Sequence, residues 1–249
     1  MNAGNSIPWS RIAVEGIAIV ASILLAFAID AWWDDRQREE TEQVVLRTLL
    51  NDFQGKQILL SDMNTFSEAI VESVETLLMA ASSTDHALSE ASIDRLIGDT
   101  WWVSNEAVWD SAPLNQLIAG GNLSVISNPN LVQQLAELQV AIERVKYHSR
   151  NDSEFHENIM TPFMISNVNM SQVTTTMRHR PGHPELTIQS RNLGVSEGQR
   201  HSELLATTEY QNLLVAKMER LSDILEVGHP GVEERLNLVI EMLEIELDL

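Results

Sequence analysis

The segment from Ile12 to Trp33 constrains the fold of this chain more than any other feature, because it is a long apolar run, IAVEGIAIVASILLAFAIDAWW. Residues 16–29, between Glu15 and Asp30, carry no charge, but at a rise of about 1.5 Å per residue they are too few to cross a hydrocarbon core of ~30 Å. The whole of 12–33 reaches about 33 Å when both carboxylates lie near the interfaces. The sequence therefore predicts a transmembrane helix over residues 12–33, after an N-terminal tail of residues 1–11.

Tryptophans stand at both ends of this segment. Trp9 precedes it, Trp32 and Trp33 close it, and charged residues resume at once with Asp34. Because tryptophan is enriched at membrane–water interfaces, we expect Trp9, Trp32 and Trp33 to lie at the two interfaces. Two alternatives stay open: a signal peptide cleaved after Ala26-Phe27-Ala28, and a buried core helix of a soluble protein.

One face of the predicted membrane helix carries small and acidic residues. Spacings of three and four place these residues on the same side: Glu15, Ala18, Ser22, Ala26 and Asp30. Small residues let a second helix approach closely, so this face is a predicted contact surface for another membrane helix. The alternative is that the two acids are simply interfacial and solvated.

Acidic residues outnumber basic ones by 36 to 16, which gives a formal net charge of −20. Such a surface repels phosphate backbones, so we expect no nucleic-acid partner. The simplest interpretation of the charge is solubility. The sequence contains no cysteine, which excludes disulfides, thiolate metal ligands and cysteine nucleophiles.

A seven-residue apolar pattern follows the membrane segment, from Asp35 to about Ala81. The frame consists of Leu46, Leu49, Phe53, Leu60, Met63, Ile70, Val74 and Leu77. It predicts one long helix, or two stacked end to end, that continues from the membrane helix. The helix suits either a coiled-coil stalk or a bundle on its own chain, and the polar Lys56 and Ser67 in the frame favour the bundle.

Start and stop signals predict further helices in the acidic helical domain, residues 34–249. Gly120-Gly121 ends one helix, and Asn128 with Pro129 begins the next. Gly228-His229-Pro230-Gly231 should break or kink the chain. The predicted helices cover about Ser89–Asp99, Ala112–Ala119, Pro129 to Phe155 or beyond, Ser202–Val227 and Val232–Leu247. We therefore predict an all-α fold, in which the transmembrane helix runs into a long helix that packs in an antiparallel helical bundle.

Residues from about 167 to 199 are rich in Thr, Ser, Asn, Pro and Gly and are predicted to be one long irregular segment. In and just after it lie Arg178, His179, Arg180, His183, Arg191, Arg200 and His201. These side chains would suit a metal or phosphate, but their spacing matches no known ligand pattern. The favoured interpretation is a loop that lies across the acidic helices or is solvated.

Two segments resemble a family of uncharacterised bacterial single-pass membrane proteins, catalogued as a domain of unknown function. One is GIAIVASILLAFAIDAWWDDRQREETEQVVLRTLLNDF, an apolar helix that passes through an aromatic and acidic junction into a charged helix. The other is WDSAPLNQLIAGGNLSVISNPNLVQQL, and together they cover about a quarter of the chain. The resemblance implies an N-terminal helix anchor and a helical domain, and it supplies no catalytic residues. The His-Pro-Gly segment near the C-terminus departs from the continuous helix that the family implies.

The distribution of basic residues gives only a weak indication of orientation. Arg11 stands on the N-terminal side of the membrane segment, and Arg36, Arg38 and Arg47 stand among acids on the other side. Large domains translocate whatever the local charge. We expect a single-pass protein of the bacterial inner membrane, with the N-terminus inside and the domain in the periplasm.

No catalytic, metal-binding or cofactor-binding motif stands out in the sequence. Asp110, Glu106 and a histidine could serve as acid and base, but His148 and His156 are predicted to be surface residues of one helix. We therefore expect neither an enzyme nor a cofactor, and we predict a non-enzymatic interaction or scaffold protein that acts through helix–helix contacts with itself or a membrane partner. The alternative is an extracytoplasmic sensor-like bundle that binds a small ligand between its helices.

Overall fold

The computed structural model describes residues 9–82, 88–101, 109–173 and 200–249, with side chains from Ile19 onward. Within those ranges all regular structure is helical and no strand occurs, so the predicted all-α bundle is confirmed. The helices are α1 (Trp9–Ser82), α2 (Glu90–Thr100), α3 (Ala112–Ala119), α4 (Pro129–Phe155), α5 (Thr161–Asn167), α6 (Met170–Val173), α7 (Ser202–Leu205), α8 (Thr208–Ser222) and α9 (His229–Glu246).

The first helix is unbroken over 74 residues, a length of about 110 Å. It contains the backbone of the predicted membrane segment and continues into the domain, as the sequence predicts. All eight residues of its seven-residue frame are buried against the rest of the chain. The bundle interpretation of this helix is therefore confirmed over the stalk interpretation.

In the described part of the chain, no helix carries a stretch long and apolar enough to cross a membrane. The predicted spanning segment, residues 12–33, begins before Ile19, so the side chains of residues 12–18 lie outside the described ones. Residues 1–8 of the predicted tail, 83–87 after α1, 102–108, and 174–199 of the predicted irregular segment also lie outside them.

Three long helical stretches form the body of the domain. Helix α9 runs antiparallel to α1, since Gln57 bonds Asn237 at 2.7 Å and Gln54 bonds Glu244 at 3.5 Å. Helix α4 is also antiparallel to α9, because Asn128 at its start donates to Glu246 at the end of α9, at 2.6 Å. The α8–α9 stretch therefore packs between α1 and α4, which run parallel to each other.

The core divides into two main clusters along the bundle. The proximal cluster lies nearest to the N-terminal part of α1 and includes Leu46, Leu131 and Leu247. The distal cluster lies at the other end and includes Leu77 and Leu205. Both ends of the domain are thus held by apolar packing that joins segments far apart in sequence.

Helix ends follow the local signals at most positions. Ser89 and Asn128 cap α2 and α4 through their side-chain oxygens, and Gly121 takes the left-handed conformation after α3, with φ of 65°. The predicted helix over Ser202–Val227 is wrong at its start. The short α7 ends at Leu205, and α8 begins at Thr208 because the Thr207 side chain accepts from the Tyr210 N–H.

Two π-helical turns change the effect that the following prolines have on the helix. His156–Met160 joins α4 to α5, and Asp223–Gly228 joins α8 to α9. The second residue after each π-turn is a proline, Pro162 in the first turn of α5 and Pro230 in the first turn of α9. In an α-helix, the proline ring clashes with the carbonyl of the residue four positions earlier. In a π-turn each N–H bonds to the carbonyl five positions earlier, which shifts the hydrogen-bond register before the proline. The helix therefore continues through 228–231 without the predicted break, and the predicted alternative, a kink, stays a prediction.

The predicted irregular segment is also partly helical. Helix α5 extends to Asn167, and Met170–Val173 forms the short α6. The side chain of Asn169 accepts from the N–H of Ser171 at 3.2 Å and so supports the start of this turn. Residues 167–173 of the predicted segment are therefore mostly helical, and the rest of it, residues 174–199, lies outside the described residues.

Candidate functional site

The apolar segment, defined as residues 19–33 of α1, is exposed along its whole length. Its large side chains are between 49% and 66% exposed: Ile19, Val20, Ile23, Leu24, Leu25, Phe27, Ile29, Trp32 and Trp33. At about 100° per residue they project in directions all around the helix. The segment thus has no single core-facing stripe of the kind that packs against one neighbouring helix.

Part of the predicted contact face and two of the predicted interface tryptophans lie on this part of α1. Ser22, Ala26 and Asp30 are exposed on one side of the continuous helix. Trp32 and Trp33 are exposed as well, and their ring centroids lie 6.4 Å apart. The side chains of the other three predicted residues, Trp9, Glu15 and Ala18, lie outside the described ones.

A charged collar, residues 34–40, follows the apolar segment. Arg36 pairs with Glu40 at 3.1 Å and with Glu39 at 3.5 Å, while Arg38 lies 3.6 Å from Asp35. All of these side chains are more than half exposed, so each pair adds only about 0.3–0.5 kcal/mol to helix stability. The collar nevertheless separates the apolar segment sharply from the packed domain.

The domain first covers α1 at Glu42. Its carboxylate accepts from the backbone N–H of Ser127 at 2.6 Å and from the Ser127 hydroxyl at 2.7 Å. Ser127 immediately precedes the Asn128 cap of α4, so these bonds fix the start of α4 against α1. The exposed part of α1 therefore meets the bundle at a defined point.

A buried ion pair lies in the middle of the bundle, between α4 and α8. Lys217 donates to both carboxylate oxygens of Asp152, at 2.7 Å and 2.9 Å, and neither side chain is exposed. Sequence reasoning missed this pair. The signal was present, because Lys217 falls on the same helix face as the buried Leu213, Leu214 and Leu221.

His156 lies beside the ion pair in the first π-turn. Burial and, to a smaller extent, the positive charge of Lys217 lower the pKa of His156 to about 4, although Asp152 acts in the opposite direction. Its ring meets that of Trp101 edge-on, with centroids 4.7 Å apart. The predicted surface position of His156 is therefore wrong.

An open groove of about 500 Å³ runs beside the two π-turns, between α4 and α8. Its wall combines carboxylates with one histidine, one arginine and two amides, and Phe155 lies under the Arg220 guanidinium at 4.2 Å. His148 faces Asp223 across this groove at 3.8 Å and is only 16% exposed, so its predicted surface position is also wrong. The groove can hold a small polar molecule, and it contains no nucleophile paired with a base.

The buried His201 has both ring nitrogens engaged. Nε2 accepts from the backbone N–H of Asn169 at 3.1 Å, so the ring proton is on Nδ1. Nδ1 therefore donates to the Asp94 carboxylate at 2.6 Å. Its own N–H donates to Glu90 at 2.9 Å. His201 therefore ties α2 to the turn before α6, and neither ring nitrogen is available to bind a metal or accept a substrate proton.

The acid–base trio considered in the sequence is not assembled in the described residues. Asp110 accepts from Lys146 at 2.9 Å, whereas His148 faces Asp223 at 3.8 Å and His156 packs against Trp101. Glu106 lies outside the described residues. Across the part of the chain that the structure describes, no three histidine or acidic side chains come together as a metal site.

Comparison with known proteins adds no relative: no family model matches the chain, and no significant match was found among curated proteins or solved structures.

Proposed function

We propose that residues 12–33 anchor this chain in a lipid bilayer, and that the acidic helical domain acts beside the membrane as a non-enzymatic interaction or scaffold protein. One observation carries the proposal: apolar side chains cover the whole circumference of α1 over residues 19–33, and all of them are exposed. A helix that is hydrophobic on every side is stable when it is buried, and a bilayer buries it uniformly. The Trp pair and the charged collar mark the end of the buried length.

The proposed partner is a second membrane helix, either from another copy of this chain or from a different membrane protein. The face formed by Glu15, Ala18, Ser22, Ala26 and Asp30 supports this choice, because small residues at spacings of three and four let helix backbones approach closely. The bacterial inner membrane and a periplasmic domain are part of the same proposal.

Membrane fractionation with alkaline carbonate extraction tests the anchor. Wild-type chain should remain in the pellet, and a Leu24→Arg, Phe27→Arg variant should be released, since each central arginine costs about 2.5–3.5 kcal/mol in a membrane helix. Val44→Arg is the matched control, because Val44 is an exposed apolar residue of the same helix beyond the collar. A wild-type chain that carbonate extracts would contradict the anchor, and intact mass would reveal cleavage after Ala28.

Association is tested on the full chain in mild detergent. Light scattering and crosslinking should show a complex that Ser22→Ile and Ala26→Ile weaken, while Leu24→Ile on the opposite side leaves it unchanged. A strictly monomeric chain that co-purifies with no membrane protein would contradict the interaction proposal. Fusion of alkaline phosphatase or a fluorescent protein to the C-terminus would decide the side of the membrane.

The groove beside the π-turns supports a second candidate, a sensor-like domain that binds a small molecule between α4 and α8. Its volume of about 500 Å³ is in the range of small-molecule pockets. A thermal-shift screen of metabolites tests this candidate. Stabilisation that Asn158→Leu in the groove wall abolishes would favour the sensor over the scaffold.

A further inference from the structure

A second cleft lies where α1 emerges from the domain. Its volume is about 710 Å³, and the α1 side of it is formed by Asp34, Gln37, Arg38 and Thr41. These residues recur at spacings of three and four and so share one face of the helix. The cleft begins immediately after Trp33, at the boundary of the apolar segment.

The opposite wall is supplied by the connection between α3 and α4. Ser124 belongs to a short 3-10 turn, Asn122–Val125, and Ser127 follows it. The left-handed Gly121, with φ of 65°, starts this turn, and the bonds from Ser127 to Glu42 hold its far end against α1. The wall is therefore fixed at both ends.

If the proposed anchor is correct, the cleft lies at the level of the lipid headgroups. With Trp33 at the interface, Arg38 lies about 7.5 Å further along the helix axis. The polar layer on each side of a bilayer is about 5–7 Å thick. The lower half of the cleft, which holds Asp34, Gln37 and Arg38, would therefore open among the headgroups.

The cleft carries one charge of each sign. Asp34 and Arg38 are its two charged residues. Among the described residues Arg38 pairs with Asp35 alone, through an exposed contact of 3.6 Å, which a ligand can replace at little cost. The hydroxyls of Thr41 and Ser127 already donate to the Gln37 carbonyl and to Glu42. This leaves Arg38, the Gln37 amide and the Ser124 hydroxyl to donate to a ligand.

We propose that this cleft binds a phosphoethanolamine-type headgroup, an inference that rests on the proposed membrane anchor. Its phosphate accepts from Arg38, Gln37 and Ser124, and its primary ammonium donates to the Asp34 carboxylate. The paired charges favour a zwitterion. An anionic lipid would meet further carboxylates at Asp35, Glu39 and Glu40 in the surrounding collar, and the trimethylammonium of a choline lipid has no N–H to donate.

Thermal unfolding of the full chain in detergent micelles, followed by circular dichroism at 222 nm, tests the site. Phosphatidylethanolamine, phosphatidylcholine and phosphatidylglycerol with identical acyl chains are titrated into the micelles, and glycerophosphoethanolamine and inorganic phosphate are added in water. Phosphatidylethanolamine should raise the midpoint most, because it binds the folded state. Arg38→Gln should raise the half-saturating concentration about tenfold or more, since it removes a charged hydrogen-bond donor.

Arg36→Gln is the matched control, because Arg36 pairs with Glu39 and Glu40 and does not line the cleft. It should titrate like wild type. Equal stabilisation by all three lipids, a full effect of inorganic phosphate, or an unchanged Arg38→Gln titration would each overturn the proposal. A full effect of glycerophosphoethanolamine would keep the headgroup chemistry and overturn the lipid as its source.

Membrane fractionation of the same variants separates this inference from the anchor. Arg38→Gln should remain in the carbonate-resistant pellet while it loses the headgroup effect, which would support both. A pelleted chain without any headgroup preference would overturn the cleft alone. If the wild-type chain is extracted by carbonate, the anchor fails, and the glycerophosphoethanolamine titration still decides whether the cleft binds phosphoethanolamine.

Discussion

Lys217 and Asp152 form a two-point salt bridge, 2.7 Å and 2.9 Å from Nζ to the two carboxylate oxygens, in which neither side chain is exposed. The residues lie 65 positions apart and join α4 to α8. In this low-dielectric setting each charge depends on the other, because removing one leaves the second buried without its ion-pair partner.

Single substitutions in this pair should destabilise the domain strongly. We expect Asp152→Leu or Lys217→Met to lower the free energy of unfolding by about 3–5 kcal/mol, and the double variant Asp152→Leu, Lys217→Met to recover most of that loss. Urea titrations of the detergent-solubilised chain, followed by circular dichroism, measure all three. Losses that simply add in the double variant would show that the two charges are not coupled.

The second π-turn allows a close approach of two helices at Gly228. A Cβ added at Gly228 would lie 2.9 Å from Cγ2 of the buried Val145. Gly228→Ala should therefore lower the free energy of unfolding by about 1–3 kcal/mol, and Val145→Ala should remove part of that cost in the double variant. Gly231→Ala is the matched control, since its Cβ would meet nothing within 4 Å, and we expect its stability to be unchanged or slightly raised. Equal effects at both glycines would contradict the packing argument.

Burial lowers the pKa of His229 to about 4, from an ordinary value of 6.5. As the pH falls through this window, the unfolded chain binds a proton that the folded chain excludes, so stability is full above pH 6.5 and declines toward pH 4. Between pH 6.5 and 5 we expect His229 to contribute a loss of about 2 kcal/mol. Urea titrations at each pH should show a shallower decline for His229→Gln than for wild type. If the free energies of unfolding of wild type and His229→Gln fell in parallel with pH, His229 would not cause the decline, since the carboxylates contribute equally to both proteins.

The long helix and its core face could be predicted from the sequence because both depend on local spacing. Leu46, Phe53 and Leu77 follow one frame along α1, and all three are buried. The start of α4 was equally predictable, since Asn128 and Pro129 act within a single turn. The exposure of residues 19–33 could not be predicted in this way, because an apolar run of this kind also suits a buried core helix.

Features that depend on the register between helices could not be predicted. Pro230 predicts a break or a kink, and the helix continues because the residues before it form a π-turn. The pairing of Lys217 with Asp152 requires α4 and α8 to be aligned, which no local rule supplies. The cleft between α1 and Ser124–Ser127 could not be predicted for the same reason, because Ser127 reaches α1 through a contact with Glu42 that spans 85 positions.

Glu90 holds the distal end of the domain together. It accepts from the N–H of His201 at 2.9 Å, from the N–H of Ser202 at 3.3 Å and from the Ser202 hydroxyl. Burial raises the pKa of Glu90, but the hydrogen bonds from Ser202 and His201 outweigh it, so the net pKa is below its usual 4.5. The charged carboxylate therefore stabilises the fold above pH 4.5, and this contribution is lost as the pH falls through the lowered value.

Glu90→Gln should consequently loosen the distal end without affecting the proximal one. We expect hydrogen exchange at pH 7 to become faster in residues 201–205, by about fivefold for the loss of about 1 kcal/mol of charged hydrogen bonding, while exchange in α9 stays unchanged. Glu203→Gln is the matched control, because Glu203 is exposed in the same short helix and should leave both regions as in wild type. Faster exchange throughout the domain would instead mean that Glu90 supports global stability, and the two ends of the bundle would then unfold as one unit.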